Sequence, residues 1–140
     1  MISDVLIVED EDDIRAMISG ILEDEGYETR EAATSQEALE AVKTRKPNLV
    51  VLDVWLKGSE MDGIELLAAL KARYQNIPVI VISGHGTVET AVSAIRKGAF
   101  DYIVKPFKAA KLLVTAARAL ENSRLRQENE ELKGKAPSSN

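Results

Sequence analysis

Three short aliphatic runs punctuate the chain: Val5-Leu6-Ile7-Val8, Leu49-Val50-Val51-Leu52 and Val79-Ile80-Val81-Ile82. A run that is apolar at every position, with no polar alternate, predicts a strand covered on both faces. The segments between them repeat apolar residues at helical spacing. Ile14, Met17, Ile18, Ile21 and Leu22 mark a first helix, and Ala38, Leu39, Ala41 and Val42 a second. Ile64, Leu67, Ala68, Leu70 and Lys71 mark a third, and Val88, Ala91, Val92 and Ile95 a fourth. Gly26, Pro47 and Gly98 supply stop signals after the first, second and fourth. Thr34 or Ser35 with Glu37 or Ala38 gives a partial capping signal for the second. Tyr27-Glu28-Thr29-Arg30-Glu31-Ala32 alternates weakly and reads as an edge strand, and Tyr102-Ile103-Val104 reads as a fifth strand.

Strands alternating with helices imply right-handed crossovers and a parallel sheet between two helical layers. The expected fold is α/β, a flavodoxin-like doubly wound (βα)5 unit with strand order 2-1-3-4-5, since the weak second strand belongs at an edge. In such sheets ligands sit beyond the carboxyl ends of the strands, at the switch point between strands one and three.

That rim gathers chemistry. Strand one runs into Glu9-Asp10-Glu11, strand three ends in Asp53, strand four in Ser83, and Lys105 follows strand five. Three carboxylates in one small volume raise one another's proton affinity unless a cation intervenes. Hard oxygen ligands without a histidine cluster favour Mg²⁺, which keeps several waters and completes its shell with phosphate oxygens. Carboxylates, a divalent metal, an ammonium and a hydroxyl suit phosphoryl transfer. Asp53 is the candidate in-line nucleophile, Lys105 the neutralising cation, and Ser83 the hydrogen-bond donor to a phosphoryl oxygen. Asp12 and Asp13 are expected to cap the first helix through its dipole. His85, between two glycines, reads as an exposed loop residue rather than a general base.

Several stretches together resemble the CheY-like receiver domain of response regulators: Val8-Glu9-Asp10-Glu11, Leu52-Asp53, Asp62-Gly63, Ile82-Ser83-Gly84, and the run from Gly98 through Tyr102 and Lys105-Pro106 to Phe107. The resemblance covers about residues 3–121. It implies Asp10 and Asp53 as direct Mg²⁺ ligands, the backbone carbonyl of Trp55 as a third, and Glu9 acting through a metal-bound water. It further implies Ser83 and Tyr102 as switch residues that remodel the face of helix four, strand five and helix five. Its partners would be a sensor histidine kinase and a second copy of the chain. Between Asp53 and Asp62 the usual Met-Pro turn is replaced by a longer loop with Gly58 as its turn residue. That loop, with Ser83-Gly84-His85-Gly86-Thr87, resembles the NtrX branch of the NtrC-like nitrogen regulators.

Composition narrows the rest. With 140 residues, 45% hydrophobic and 29% charged, the chain suits one globular domain, and a formal charge of −5 offers no footprint for nucleic acid or an anionic membrane. There is no cysteine, no run near the roughly 18 apolar residues of a membrane span, and no signal-peptide layout, so a cytoplasmic location is expected. A phosphohydrolase using Asp53 as a transient nucleophile is the main rival, but it would want an acid or base at position 55, which is Trp. A degenerate receiver and a flavin-binding protein of the same topology are weaker alternatives. The favoured reading is a self-modifying switch without turnover on an external substrate.

Residues 1–121 are assigned to the receiver unit, 122–133 to a helical extension and 134–140 to a disordered tail. In the extension, Leu125 and Leu132 fit heptad d positions, Asn129 an a, Glu128 a g and Lys133 the following e, as in a parallel dimer. A solvated helix fits equally well, because two heptads are marginal alone.

Overall fold

The computed structural model describes residues 2–56, 62–84 and 88–135, with side chains in the last segment through Asn129. Ten elements alternate strictly: β1 (Asp4–Val8), α1 (Asp12–Asp24), β2 (Glu28–Ala32), α2 (Ser35–Thr44), β3 (Leu49–Asp53), α3 (Gly63–Arg73), β4 (Val79–Ser83), α4 (Val88–Arg96), β5 (Asp101–Val104) and α5 (Ala109–Lys135). The strands form one parallel sheet in the order β2-β1-β3-β4-β5, as expected. Gly58, His85 and the side chains of Leu132 and Lys133 lie outside the described residues, as does the tail after Lys135. Among the described residues no helix is long and apolar enough to cross a membrane.

Strand pleating sends alternate residues to opposite faces, so the uniformly apolar runs feed two cores. Leu6, Val8, Val50 and Leu52 pack with Ala38 and Val42 of α2 and Leu66, Leu67 and Leu70 of α3. Val5, Ile7, Val51, Ile80 and Ile82 pack with Ile18 and Leu22 of α1 and Leu112, Ala116 and Ala119 of α5. β2 is the edge strand, with only Ala32 fully buried.

Local signals explain where the helices begin and end. Gly26 (φ 100°) and Gly98 (φ 107°) follow α1 and α4 in the left-handed region that favours glycine. Thr34 Oγ1 accepts from the Glu37 amide at 3.1 Å at the start of α2. Asp62 and Glu65 close a capping box on α3, at 2.9 and 3.0 Å, which the sequence reading did not single out. α1 has Glu11 at its N-cap, with no side-chain cap bond; Asp12 and Asp13 sit inside the first turn, where they act through the dipole as expected, and Asp12 Oδ1 is held by Arg15 Nη2 at 2.6 Å.

Two apolar stripes fall elsewhere than their spacing suggests. On α3 the buried residues are Gly63, Leu66, Leu67 and Leu70, while Ala68 faces solvent. On α4 only Ala94 is buried; Val88, Val92 and Ile95 point outward. Val104 of β5 and Val114 of α5 are likewise more than half exposed.

Candidate functional site

Parallel register delivers the predicted residues to one rim. Val8 pairs with Leu52, so Glu9 and Asp53 leave β1 and β3 side by side. Ser83 pairs with Val104, which places Lys105 at the end of β4. Main-chain bonds carry the ladder into the rim: Glu9 N donates to Ala32 O at 3.0 Å, Val54 N to Ile82 O at 3.0 Å, and Lys105 N to Ser83 O at 2.8 Å. The Lys105–Pro106 peptide is cis.

Glu9, Asp10 and Asp53 each offer a carboxylate oxygen within 4.8 Å of the others. The Lys105 ammonium lies between two of them, 2.8 Å from Glu9 Oε1 and 3.3 Å from Asp53 Oδ1. Glu9, Asp53 and Ser83 are buried, at 1%, 5% and 0% exposure, while Asp10 is half-buried. Trp55 stands two residues past Asp53 with its indole about half exposed. Behind the pocket, Gly63 N donates to Val54 O at 2.7 Å. A Cβ at Gly63 would collide with the Asp53 carbonyl oxygen and the Val54 backbone, so this glycine lets α3 start directly beneath the acid.

The response regulator receiver domain family model matches residues 5–117. The chain belongs to that family. It is 53% identical over 133 residues to the nitrogen assimilation regulatory protein NtrX of Azorhizobium caulinodans, covering 95% of this chain and 29% of that protein. The crystal structure of the receiver domain of NtrX from Brucella abortus superposes with a TM-score of 0.82 at 56% identity, over 84% of this chain and 98% of that one. The beryllofluoride-activated NtrC4 receiver domain dimer superposes with a TM-score of 0.80 at 41% identity, over 86% and 98%. The chain thus spans less than a third of the length of the curated NtrX relative.

The electrostatics of this receiver pocket follow from crowding. Burial, opposed by the Lys105 contact and reinforced by Asp53, pushes the Glu9 carboxyl from 4.5 up to about 7. Burial also raises Asp53, against the pull of Lys105. Desolvation lowers the proton affinity of Lys105, but Glu9 and Asp53 together outweigh it and the net shift is upward. Among the described residues two buried acids share one ammonium, with a third carboxylate close by. Hard carboxylate oxygens so close together are a donor set that fits Mg²⁺, and Glu9, Asp10 and Asp53 are the side chains able to hold it.

Two features of the receiver pocket were not foreseen. Arg15 donates through Nη1 to the Glu9 carbonyl at 2.8 Å and through Nε to Glu31 Oε1 at 3.0 Å, fixing the backbone that presents the acids. Its only sequence signal was the i,i+3 spacing from Asp12. Tyr102, expected as a switch residue, is half-buried with its hydroxyl enclosed and without a hydrogen-bond partner among the described residues.

Proposed function

We propose that this domain is the phosphoacceptor of a two-component response regulator, taking a phosphoryl group from the phosphohistidine of a sensor histidine kinase onto Asp53. The observation that carries this reading is the buried Asp53 carboxylate, 3.3 Å from the Lys105 ammonium and clustered with Glu9 and Asp10. An Asp53 oxygen attacks phosphorus, the phosphorus–nitrogen bond to the donor imidazole breaks, and the imidazole nitrogen keeps that electron pair and picks up a proton. Burial favours the neutral acid, which cannot attack; the Lys105 ammonium opposes this by favouring the ionised form. Once the acyl phosphate forms, Lys105 is within reach of its oxygens, and the Ser83 hydroxyl at the end of β4 donates to one of them. Mg²⁺ held by Asp10, Asp53 and the Trp55 carbonyl, with Glu9 acting through a water, would offset charge on the phosphoryl oxygens.

The output follows from the face beside the pocket. Movement of Ser83 and Tyr102 alters the surface of α4, β5 and α5, where Val88, Val92, Ile95, Val104 and Val114 present apolar side chains to solvent. That patch, the continuation of α5 to Lys135 and the similarity to an activated receiver dimer support phosphorylation-controlled homodimerisation through this face and the C-terminal helix. The NtrX relatives support a cytoplasmic role in transcriptional control of nitrogen assimilation, exercised by a longer protein. The domain itself acts on no external substrate and contacts neither nucleic acid nor membrane.

Incubation with acetyl phosphate and Mg²⁺ should add one phosphoryl group, seen by intact-mass spectrometry, with a matching change in Trp55 fluorescence. Asp53→Asn or chelation with EDTA should abolish both. An unmodified wild-type chain, or repeated release of inorganic phosphate from a monoester, would overturn the reading.

A further inference from the structure

A second charged cavity lies at the opposite end of the sheet. It encloses about 230 Å³ before the first residues of β4 and β5, between the loop after α3, the turn after α4 and the outgoing stem of α5. Its polar lining comes from Lys71, Asn76, Asn122, Ser123 and Arg126, and among the described residues no carboxylate lines it. In a chain of net charge −5, two cations around one cavity without an acid leave a local surplus of positive charge.

Lys71 is held in place, and Arg126 stands exposed on α5. Lys71 Nζ donates to the Gln75 and Ile77 carbonyls at 2.7 and 2.9 Å, offsetting the negative end of α3 and leaving one N–H uncommitted. Its stem runs under Gly98, where a Cβ would stand 3.1 Å from Lys71 Cγ. Arg126 forms no ion pair among the described residues, although its neighbour Arg124 is paired with both Glu121 and Glu128. Desolvation lowers the proton affinity of Lys71, and the positive charge of Arg126 lowers it further. Ser123 Oγ donates to Asn76 O at 3.2 Å, clipping α5 to the loop at the mouth of the cavity.

We infer that this cavity binds a small oxyanion, a phosphate or a carboxylate group, between Lys71 and Arg126, with the side-chain amides of Asn76 and Asn122 as neutral donors. The volume is below the roughly 300 Å³ at which drug-sized ligands and cofactors begin to fit, which selects a compact anion. Arg126 supplies a planar fork suited to either group. Such a ligand bridges the α3–β4 loop, the α4–β5 turn and α5 at the point where the helix leaves the domain. Occupancy therefore stiffens the stem of α5, independently of chemistry at Asp53.

The test is a titration of the ¹⁵N-labelled chain with inorganic phosphate and, separately, with citrate, in EDTA so that the acidic rim cannot recruit an anion through a metal. A sodium chloride series at matched ionic strength serves as the control. Saturable amide shifts at Gly98, Ala99, Asn122 and Ser123 are expected with one or both anions, and the one that saturates identifies the group as phosphate or carboxylate. Arg126→Gln, at an exposed helical position, should weaken binding by about tenfold or more while leaving the rest of the spectrum in place. Lys71→Met should weaken it too. Shifts that stay linear and match those from sodium chloride, or saturation that survives Arg126→Gln, would overturn the assignment.

Discussion

At the amino end of the sheet, one acid meets two guanidinium groups; at the carboxyl end, two buried acids share one ammonium, with a third carboxylate beside them. Asp4, the first residue of β1, takes Arg30 Nη2 at 2.7 Å and Arg45 Nε at 3.3 Å. Arg30 also donates to the carbonyls of Ala41 and Arg45 at 2.8 and 2.7 Å, tying the end of α2 to the edge of the sheet. Few donors there are left over, and that cluster holds the fold together. At the rim, Glu9 and Asp53 share Lys105, with Asp10 clustered beside them, and burial pushes the Glu9 and Asp53 carboxyls upward. Compensated charge marks architecture, and crowded acids mark a place that attracts a cation.

The largest expected effect breaks the compensated end. Asp4→Ala leaves Arg30, whose side chain is only 23% exposed, without its counter-charge, and should cost about 3 kcal/mol. Arg45 is mostly exposed and contributes little of this. Urea denaturation should show a lower midpoint at unchanged slope. A loss under about 1 kcal/mol would mean that the amino-end cluster is no more than a surface pair.

An effect of similar size tests the rim. The Glu9 carboxyl is raised from 4.5 to about 7, chiefly by burial, so over that interval the folded chain binds a proton that the unfolded chain has released. Stability in EDTA should therefore fall as pH rises from about 4.5 to about 7 and then level off, a drop on the order of 3 kcal/mol. The upward shift of Asp53 acts in the same direction. Millimolar Mg²⁺ should flatten the slope by neutralising the ionised acids, and Glu9→Gln should remove most of it. Denaturant midpoints rising across that window would show that the acids are not strained by their crowding.

The contrast between the two ends was only half legible in the sequence. Uninterrupted aliphatic runs announce strands covered on both sides, and parallel strands must then deliver Glu9, Asp53, Ser83 and Lys105 to one rim, so topology alone assembled the candidate pocket. Periodicity reports a stripe but not the direction it faces, and hence the outward turn of Val88, Val92 and Ile95 was invisible. Contacts that depend on the reach of a long side chain were also hidden. Arg15 reaching the Glu9 carbonyl, Lys105 closer to Glu9 than to Asp53, and Arg30 crossing from β2 to Asp4 are choices among rotamers, which spacing does not record. The capping box of Asp62 and Glu65 is readable from its spacing, but Asp62 entered only through the Asp62-Gly63 motif and Glu65 not at all.

The smallest expected effect concerns Tyr102, next to the rim on β5. Its ring packs against the core of the α2, α3 and α4 side, while its hydroxyl is enclosed without a partner among the described residues. A buried polar atom left unpaired in the folded state loses its hydration without compensation, so deleting it relieves a cost. Tyr102→Phe keeps the ring and removes only the oxygen; it should leave stability unchanged or raise it by up to about 1 kcal/mol, read as a higher denaturant midpoint. A loss of more than about 1 kcal/mol would show that the hydroxyl is hydrogen-bonded in solution, and would move Tyr102 from the undercompensated group to the compensated one. For the proposed switch role a small gain is the informative result, because a side chain that costs energy in one position needs little driving force to leave it.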